Sequence, residues 1–338
     1  FLTIPDLINF WLTGLKFSEF TNASTSQLYD PRKGNWSTDL CEILNIPLSI
    51  FPKIIQPGTD IGPTLSSITD ETGLQPTRVI APACHDTGSA VAAIPVRHES
   101  WAYISSGTWS LMGIEVDEPI ITKQALDLNF TNEGGVNNTF RFLKNIMGLW
   151  LVQECRRTWS RSGQQISYDE ISQIVAQAEP FKALIDPDDH SFLASGDMPK
   201  RIVDFCERTN QNLPLTKGEI ARTALESLAL KYRWVLEKLE FINGETINTI
   251  HIIGGGTQNK LLCQFTANAT KRQVLAGPVE ATSIGNLLVQ MVSSGTIGSI
   301  TEGREIIAKS SELIYFEPTN HAQWDQAYNQ FLKITNLP

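Results

Sequence analysis

The sequence predicts an α/β protein built on a mixed β-sheet with flanking helices. Strand patterns that pair as hairpins lie within residues 101–143, and a long helical pattern follows Thr216. A unit of strand, glycine-rich turn and helix then occurs twice, over 249–269 and 273–294. Paired hairpins followed by alternating strands and helices are typical of a mixed sheet covered by helices. The chain of 338 residues is also long enough for two domains, each with its own core.

The part of the chain before residue 96 contains short elements separated by proline and glycine. Ile4-Pro5-Asp6 opens an apolar helical pattern with an acidic residue in its first turn. We expect a second short helix over 40–44, loop over 58–63, and a short buried strand over 79–82. A further helix is expected to begin at Asp86 and to end before Pro95. The domain boundary is expected near 95–99, which gives a first domain over 1–96 and a second over 97–338.

The pattern changes to strand periodicity after Val96. Residues 101–105 and 109–114 flank Ser106-Gly107-Thr108 as a predicted β-hairpin, and a second hairpin is predicted from 130–132 and 140–143. Residues 147–159 follow a helical pattern. Thr216 and Glu219 form a capping box ahead of apolar residues at helical spacing, which predicts one long helix. The aromatic side chains, among them Trp11, are expected in the core.

Composition excludes several classes of function. The formal net charge of −9 argues against a nucleic-acid partner and also opposes anionic ligands at long range. Any phosphate site must therefore use local dipoles and bound cations. The five cysteines show no C-x-x-C spacing, which argues against a zinc site or a disulfide framework and fits a reducing compartment. No apolar run reaches the about 18 residues of a membrane helix, so we expect a cytoplasmic protein.

Asp86 is the strongest candidate for catalysis. It lies where a predicted strand ends and a helix begins, which is the edge of an α/β sheet where ligands bind. A carboxylate there can accept the proton of an attacking hydroxyl group, as phosphoryl transfer requires. The alternative is that Asp86 only caps the helix. His85 is either part of the same site or a buried histidine bonded to a backbone carbonyl.

Two glycine-containing turns are candidates for phosphate or nucleotide binding. The amides of Ser106-Gly107-Thr108 and the threonine hydroxyl can hold phosphate oxygens, although the same residues also suit a hairpin turn without a ligand. Gly254-Gly255-Gly256 follows an apolar strand and precedes a helix start at Asn259. Asn259 stands where a Rossmann G-x-G-x-x-G motif needs its last glycine, and no Walker A Gly-Lys-Ser/Thr occurs.

Two further polar segments have ordinary structural interpretations. From the residues alone, Asn145 caps the helix that contains Gln153, and Gln153 is solvated. The acidic residues of 186–189 are expected to form a solvated loop, because they lack the spacing of a calcium loop.

Taken together, these segments resemble the FGGY family of carbohydrate kinases, and within it the members that act on L-rhamnulose. The stretches that carry the resemblance are 84–87, 103–110, 129–135, 144–150, 253–259 and 276–281. FTNEGG (130–135) and KNIMGLW (144–150) are specific, whereas the glycine-rich turn is generic. The resemblance implies an actin-like, RNase H-like α/β fold of two domains with a cleft between them. It also implies ATP-dependent phosphorylation of L-rhamnulose at its 1-hydroxyl group, with Mg²⁺.

The resemblance also implies roles for individual residues. Asp86 is implied as the general base, with His85 and Thr87 beside it in the sugar site and Asn145 as a further sugar contact. No residue is implied as a metal ligand. The implied ATP-binding residues are Gly107, Thr108, Gln153, Gly254, Gly255, Gly256 and Asn259.

The chain departs from the family pattern at its start. The family opens with an Asp-x-Gly phosphate loop that is not found here, so we expect the first domain to lack on the order of 150 residues. Gly88 also stands where the family usually has alanine. Two alternative functions remain open from the sequence. One is a kinase for another deoxyketose or pentulose, such as L-fuculose or xylulose, and the other is a non-catalytic remnant that binds sugar or nucleotide.

Overall fold

The structure is a computed structural model that describes residues 1–96 and 100–337. These residues group into two compact units, each assembled from three segments of chain. Unit 1 comprises Phe1–His98, Ile114–Leu143 and Glu280–Ser311, and unit 2 comprises Glu99–Gly113, Lys144–Val279 and Glu312–Pro338. The boundary is expected near 95–99, and residues 97–99 of this range lie outside the described residues. The division into 1–96 and 97–338 therefore stays a prediction.

The α-helices of the described residues vary from one turn to 27 residues. In chain order they are α1 (Ile4–Thr13), α2 (Phe20–Ala23), α3 (Thr38–Ile43), α4 (Ser66–Thr72), α5 (Asp86–Ala92), α6 (Lys123–Asp127), α7 (Trp150–Arg161), α8 (Tyr168–Gln177), α9 (Met198–Arg208), α10 (Lys217–Asn243), α11 (Lys260–Thr270), α12 (Ala281–Ser293), α13 (Ile300–Ser310) and α14 (His321–Thr335).

The strands form one large sheet and three two-stranded pairs. In chain order they are β1 (Ser18–Glu19), β2 (Tyr29–Asp30), β3 (Asn35–Trp36), β4 (Ile54–Ile55), β5 (Asp60–Pro63), β6 (Arg78–Ile80), β7 (Trp101–Ser106), β8 (Trp109–Val116), β9 (Thr131–Gly134), β10 (Phe140–Met147), β11 (Thr249–Ile253), β12 (Gln273–Ala276) and β13 (Ile314–Phe316).

The large sheet is mixed, as the sequence predicts. Its strand order is β13-β12-β11-β7-β8-β10-β9. β11 pairs in parallel with both β7 and β12, while β7 with β8 and β9 with β10 form antiparallel hairpins. The residues that follow β7 and β11 therefore emerge at the same end of two adjacent parallel strands, where α/β sheets place their ligands.

The long helix α10 is joined to the large sheet by a buried hydrogen bond. Its first turn is closed by the predicted capping box, in which Thr216 accepts from the Glu219 amide and Glu219 accepts from the Thr216 amide. The Tyr232 hydroxyl of this helix lies 2.6 Å from Ser110 Oγ at the start of β8. The hydrogen bond is fully buried, so it fixes the hairpin of β7 and β8 to the helix behind it.

Most of the predicted helices and strands are confirmed. The structure differs from the prediction at four places. The loop expected over 58–63 contains β5, which pairs with β6 through an irregular register at Gly62, where φ is 133°. The strand expected over 79–82 is only half-buried and ends at Ile80. Residues 147–149 are not helical, because Met147 completes β10 and α7 begins at Trp150. Trp11, expected in the core, is 61% exposed.

Among the described residues, none of the helices combines the length and the apolar character needed to cross a bilayer.

Candidate active site

The segment that carries Asp86 is held by buried side chains from 19–21. The Glu19 carboxylate is fully buried and accepts a hydrogen bond of 2.9 Å from the Cys84 amide. It also accepts from the amide and the hydroxyl of Thr21, at 2.9 and 2.5 Å. The Thr21 hydroxyl oxygen in turn accepts from the His85 amide at 2.9 Å. Two consecutive backbone amides ahead of Asp86 are thus fixed by residues more than 60 positions earlier in the chain.

Asp86 itself is exposed, and it does not cap the helix that it begins. The N-cap position of α5 belongs to His85, whose side chain makes no capping hydrogen bond. Asp86 accepts a hydrogen bond of 2.6 Å from the Thr87 amide, while its side chain remains 78% exposed. The capping alternative is therefore wrong, and the carboxylate is accessible to a ligand. Thr87 is buried and its hydroxyl lies 3.3 Å from Asp86 Oδ1, so it can orient the carboxylate from behind.

Close backbone packing immobilises α5. A Cβ atom added at Gly285 of α12 would lie 2.6 Å from the Ser89 carbonyl carbon and closer still to its oxygen. The Ser89 hydroxyl donates to the Ala83 carbonyl at 2.7 Å, which ties the helix to the segment before it. Gly88, the departure from the family pattern, would place a Cβ atom 3.1 Å from that of Ala83. The helix that presents Asp86 is therefore fixed on two sides, as a catalytic carboxylate requires.

His85 lies in a network of three charged groups within unit 1. Its Nδ1 atom is 3.2 Å from Arg141 Nη2, 3.8 Å from Glu133 Oε2 and 4.0 Å from Asp86 Oδ1. Arg141 is fully buried, lies 3.1 Å from Glu133 Oε2 and donates through Nε to the Gly134 carbonyl at 2.9 Å. The interpretation of His85 as a histidine bonded to a backbone carbonyl is wrong, because its partner is a guanidinium group. Burial, reinforced by Arg141, lowers the pKa of His85, although Glu133 and Asp86 oppose this shift.

The turn between β7 and β8 forms one half of a second site, which lies in unit 2. The Leu149 and Trp150 amides at the start of α7 donate to the Gly107 and Thr108 carbonyls at 3.0 and 3.1 Å. The Gly107 amide donates to the Trp109 carbonyl at 2.9 Å, so it is not free to hold a phosphate. The amide of Thr108, in contrast, donates no hydrogen bond to another residue within 1–96 and 100–337. The Thr108 hydroxyl donates to Gln153 Oε1 at 3.1 Å, which links two of the predicted ATP contacts.

The three glycines after β11 differ in what surrounds them. Gly254 has a φ of 84°, which favours glycine, and Gly256 lies against the end of β7, where an added Cβ atom would overlap Ser106. A Cβ atom at Gly255 would meet no atom within 4 Å. The carbonyl oxygen of the Asn259 side chain caps α11 by accepting from the Leu262 amide at 3.0 Å. Gly255 is therefore the glycine whose backbone is open to a ligand.

A cavity of about 260 Å³ joins these elements in unit 2. Predicted ATP contacts that line it are Gly107, Gln153, Gly255, Gly256 and Asn259. Tyr168, Asp169 and Ser172 of α8 form another part of the lining. These three residues cannot be predicted from the sequence, because nothing in the local pattern of α8 distinguishes a ligand-facing side from an ordinary exposed side.

Asn145 and the acidic segment 186–189 differ from the structural roles expected for them. Asn145 is exposed within the part of β10 that belongs to unit 2, and it caps no helix, because Leu149 occupies the N-cap position of α7. Asp186 and Asp188 each lie 3.0 Å from the ammonium group of Lys231, which is buried in α10. The segment is therefore an ion-paired part of unit 2 rather than a solvated loop. No group of three or more His, Cys, Asp or Glu residues in the described part of the chain is placed to hold a metal ion.

Two family models match this chain. The models for the N-terminal and C-terminal domains of the FGGY family of carbohydrate kinases match residues 1–93 and 102–294. The chain belongs to the FGGY family of carbohydrate kinases. The resemblance stated from the sequence motifs is thus confirmed. The match of the N-terminal model to 1–93 does not support the expectation that the first domain is incomplete.

Individual relatives of this FGGY chain show how far the similarity extends. It is 44% identical over 330 residues to a rhamnulokinase of Bacteroides thetaiotaomicron, covering 98% of this chain and 67% of that protein. It is 39% identical over 317 residues to a rhamnulokinase of Bacillus subtilis, covering 94% and 65%. The chain thus spans about two thirds of the length of the curated relatives that it matches.

Solved structures confirm the expected actin-like, two-domain sugar-kinase fold. The chain matches a ligand-bound xylulose kinase from Lactobacillus acidophilus with a TM-score of 0.77 at 18% identity, covering 99% of this chain and 67% of that one. It matches a Plasmodium falciparum glycerol kinase with ADP with a TM-score of 0.73 at 17% identity, covering 99% and 67%. At such low identity these likenesses concern the fold alone.

Proposed function

We propose that the protein phosphorylates the 1-hydroxyl group of L-rhamnulose with ATP. The observation that carries this proposal is the exposed Asp86 carboxylate, presented by an immobilised helix within the motif that resembles the sugar site of the family. The curated relatives named rhamnulokinase, at 37–44% identity, favour this ketose over L-fuculose or xylulose. A free sugar and ATP as substrates are consistent with a cytoplasmic reaction.

Asp86 acts in this mechanism as the general base. Its carboxylate accepts the proton of the sugar 1-hydroxyl as the oxygen attacks the γ-phosphorus of ATP, and the bond from that phosphorus to the β,γ-bridging oxygen breaks to release ADP. Thr87 orients the carboxylate through its amide and hydroxyl, and His85 binds a sugar oxygen beside it. Asn145, which is exposed on β10, contributes a further sugar contact. Positioning of this kind, together with electrostatic stabilisation, accounts for most of the catalysis of phosphoryl transfer.

ATP is proposed to bind at the cavity of unit 2. The open backbone at Gly255 allows the nucleotide to approach closely, and Gly254, Gly256 and Asn259 hold that turn in shape. Thr108, through its unused amide, is the phosphate contact that the geometry favours, and Gln153 positions its hydroxyl. The role predicted for Gly107 changes accordingly, from a phosphate-binding amide to the residue that closes the hairpin. In the proposed division of the chain, 1–96 supplies the sugar side and 97–338 the nucleotide side.

Mg²⁺ is proposed to enter with the nucleotide rather than to occupy a site built by the protein. Among the described residues no cluster of potential ligands is placed to hold it. Mg²⁺ commonly binds through substrate phosphates and water with only one or two carboxylates. It would neutralise charge on the β- and γ-phosphates, and MgATP is accordingly the proposed substrate.

A ketose panel tests the proposal. ADP release is measured with L-rhamnulose, L-fuculose and xylulose, and the phosphorylated position is determined by ³¹P and ¹³C NMR. We expect the highest kcat/KM with L-rhamnulose and a product phosphorylated at O1. A higher kcat/KM for either other ketose would assign a different substrate. Binding of sugar or ADP without any turnover would support the non-catalytic remnant instead.

A further inference from the structure

We propose that Arg141 is a positioning residue that holds His85 neutral with its proton on Nε2. His85 then offers the sugar a fixed N–H donor beside the catalytic carboxylate. The role of this donor toward a sugar rests on the proposed function, whereas the protonation state of His85 does not.

The contact between the two side chains determines which ring nitrogen of His85 carries the proton. Arg141 Nη2 lies 3.2 Å from His85 Nδ1. A guanidinium group has hydrogen-bond donors only and does not lose its proton in proteins. Nδ1 must therefore accept this hydrogen bond through its lone pair, and the single proton of the neutral ring must be on Nε2. A doubly protonated ring would instead direct an N–H group at the guanidinium, with two positive charges 3.2 Å apart.

Arg141 is held in place by contacts of its own. It is directly opposite Glu133 in the antiparallel ladder of β9 and β10, and Nη2 lies 3.1 Å from Glu133 Oε2. Its Nε atom donates to the Gly134 carbonyl at 2.9 Å. Glu133 Oε2 accepts no hydrogen bond among the described residues, so the pair is ionic and leaves an Nη2 hydrogen for His85. The side chain is fully buried, so it has no solvated alternative position.

Of the charged groups described around His85, only Arg141 disfavours protonation of the ring. Within the described residues the charged groups that face the ring are Arg141, Glu133 and Asp86. Both carboxylates favour protonation of the ring, and only Arg141 and burial oppose it. Without Arg141, Glu133 Oε2, at 3.8 Å from Nδ1, would draw a proton onto that nitrogen.

In this arrangement His85 and Asp86 have different roles toward the sugar. A neutral His85 with a fixed Nε2–H donates to a sugar oxygen and takes no proton from the substrate. An imidazolium ion next to Asp86 would lower the basicity of the carboxylate through its positive charge. By keeping His85 neutral, Arg141 preserves Asp86 as the proton acceptor.

The first test reads the protonation of His85 by NMR and needs no substrate. In protein labelled with ¹⁵N-histidine, long-range ¹H–¹⁵N correlations report which ring nitrogen carries a proton. The signals of His85 among the five histidines are assigned by their loss in His85→Asn. We expect Nδ1 of the wild type to stay unprotonated from pH 6 to 8. A proton on Nδ1 in this range would overturn the proposal.

Two substitutions should shift the titration of His85 in opposite directions. Arg141→Met should raise the pKa of His85, because Glu133 and Asp86 remain, and should place a proton on Nδ1. Glu133→Gln should lower the pKa of His85 further, because Asp86 is then the one remaining described carboxylate that opposes Arg141 and burial. Opposite shifts would not result from a loss of structure common to both variants. Titration of both variants like the wild type would overturn the inference, and should Arg141→Met fail to fold, the wild type and Glu133→Gln decide the question.

Kinetics connect the protonation state to catalysis. In Arg141→Met, kcat/KM for the sugar should gain an ionisation and fall about tenfold one pH unit below the new pKa of His85, where only about a tenth of the ring is neutral. KM for ATP should stay within about twofold. Lys123→Met is the control, because it removes another ion pair of unit 1, with Asp127 at 2.7 Å, that involves none of the charged groups facing His85. It should leave the pH profile unchanged. If the ketose panel fails while the NMR result holds, the proposed substrate is wrong and the Arg141–His85 contact stands.

Discussion

Gly255 and Gly256 are predicted to serve different purposes, Gly255 in ligand binding and Gly256 in packing. Replacing each separately by alanine tests this prediction. The two residues are adjacent, and neither has a positive φ. An added Cβ atom meets nothing within 4 Å at Gly255. At Gly256 it would lie 3.0 Å from the Ser106 carbonyl oxygen and closer still to the Ser106 side chain. The two substitutions therefore add the same methyl group at adjacent positions, one in open space and the other against Ser106.

The expected effects differ in kind. Ser106 is buried at the end of β7, so the clash at Gly256 must move backbone, and overpacking of this kind costs about 1–3 kcal/mol. That cost lowers Tm by about 2–4 °C per kcal/mol in a unit of this size. Gly255→Ala should change stability by no more than about 0.5 kcal/mol. Gly255 lines the cavity proposed to bind ATP, so the added methyl group should lower the affinity for ATP about tenfold, which corresponds to about 1.4 kcal/mol.

Differential scanning calorimetry gives Tm for both variants, and isothermal titration calorimetry gives their Kd for ADP and for a non-hydrolysable ATP analogue. The expected pattern is a normal Tm with weakened binding for Gly255→Ala, and a lowered Tm for Gly256→Ala. A loss of Tm in Gly255→Ala as large as that in Gly256→Ala would refute the packing argument. Unchanged nucleotide affinity in a stable Gly255→Ala would show that the nucleotide does not approach this turn.

Two further predictions concern buried charges. Burial raises the pKa of Glu19 from 4.5 to about 7 despite the hydrogen bonds that it accepts. Because the folded state then retains a proton that the unfolded state loses, the stability of the wild type relative to Glu19→Gln should fall by about 3 kcal/mol from pH 4.5 to 7 and level off above. A pH-independent difference in urea unfolding would contradict this. Lys231→Met should cost about 3–5 kcal/mol in urea unfolding, since it leaves Asp186 and Asp188 without their buried partner. Adding Asp186→Asn and Asp188→Asn should recover part of the loss, and no recovery would argue against the ion-pair explanation.

The elements that the sequence predicts well are those set by local signals. The capping box at Thr216, the turn at 106–108 and the glycine-rich turn after β11 all depend on residues a few positions apart. The prediction of Asp86 as a candidate depends on the same kind of signal, because the junction of a strand and a helix can be recognised locally.

The contacts that were missed join residues far apart in the chain. His85 meets Arg141 across 56 positions, and Lys231 meets Asp186 across 45. Such pairs depend on strand register and on which face of a helix is buried, and local periodicity determines neither. Arg141 lies opposite Glu133 because β10 pairs with β9 in one particular register. The alternation of residues along β10 does not determine that register. The supporting roles of Glu19 and Thr21 were hidden for the same reason.

The central claim, that Asp86 is the base in a sugar kinase, is tested most directly by Asp86→Asn in the full enzyme. The substitution keeps the shape and the oxygen that accepts from the Thr87 amide, and the exposed position should leave stability nearly unchanged. We predict a fall in kcat for L-rhamnulose of about 10²–10⁴, with sugar and ATP binding nearly unchanged. Turnover close to that of the wild type would contradict the account.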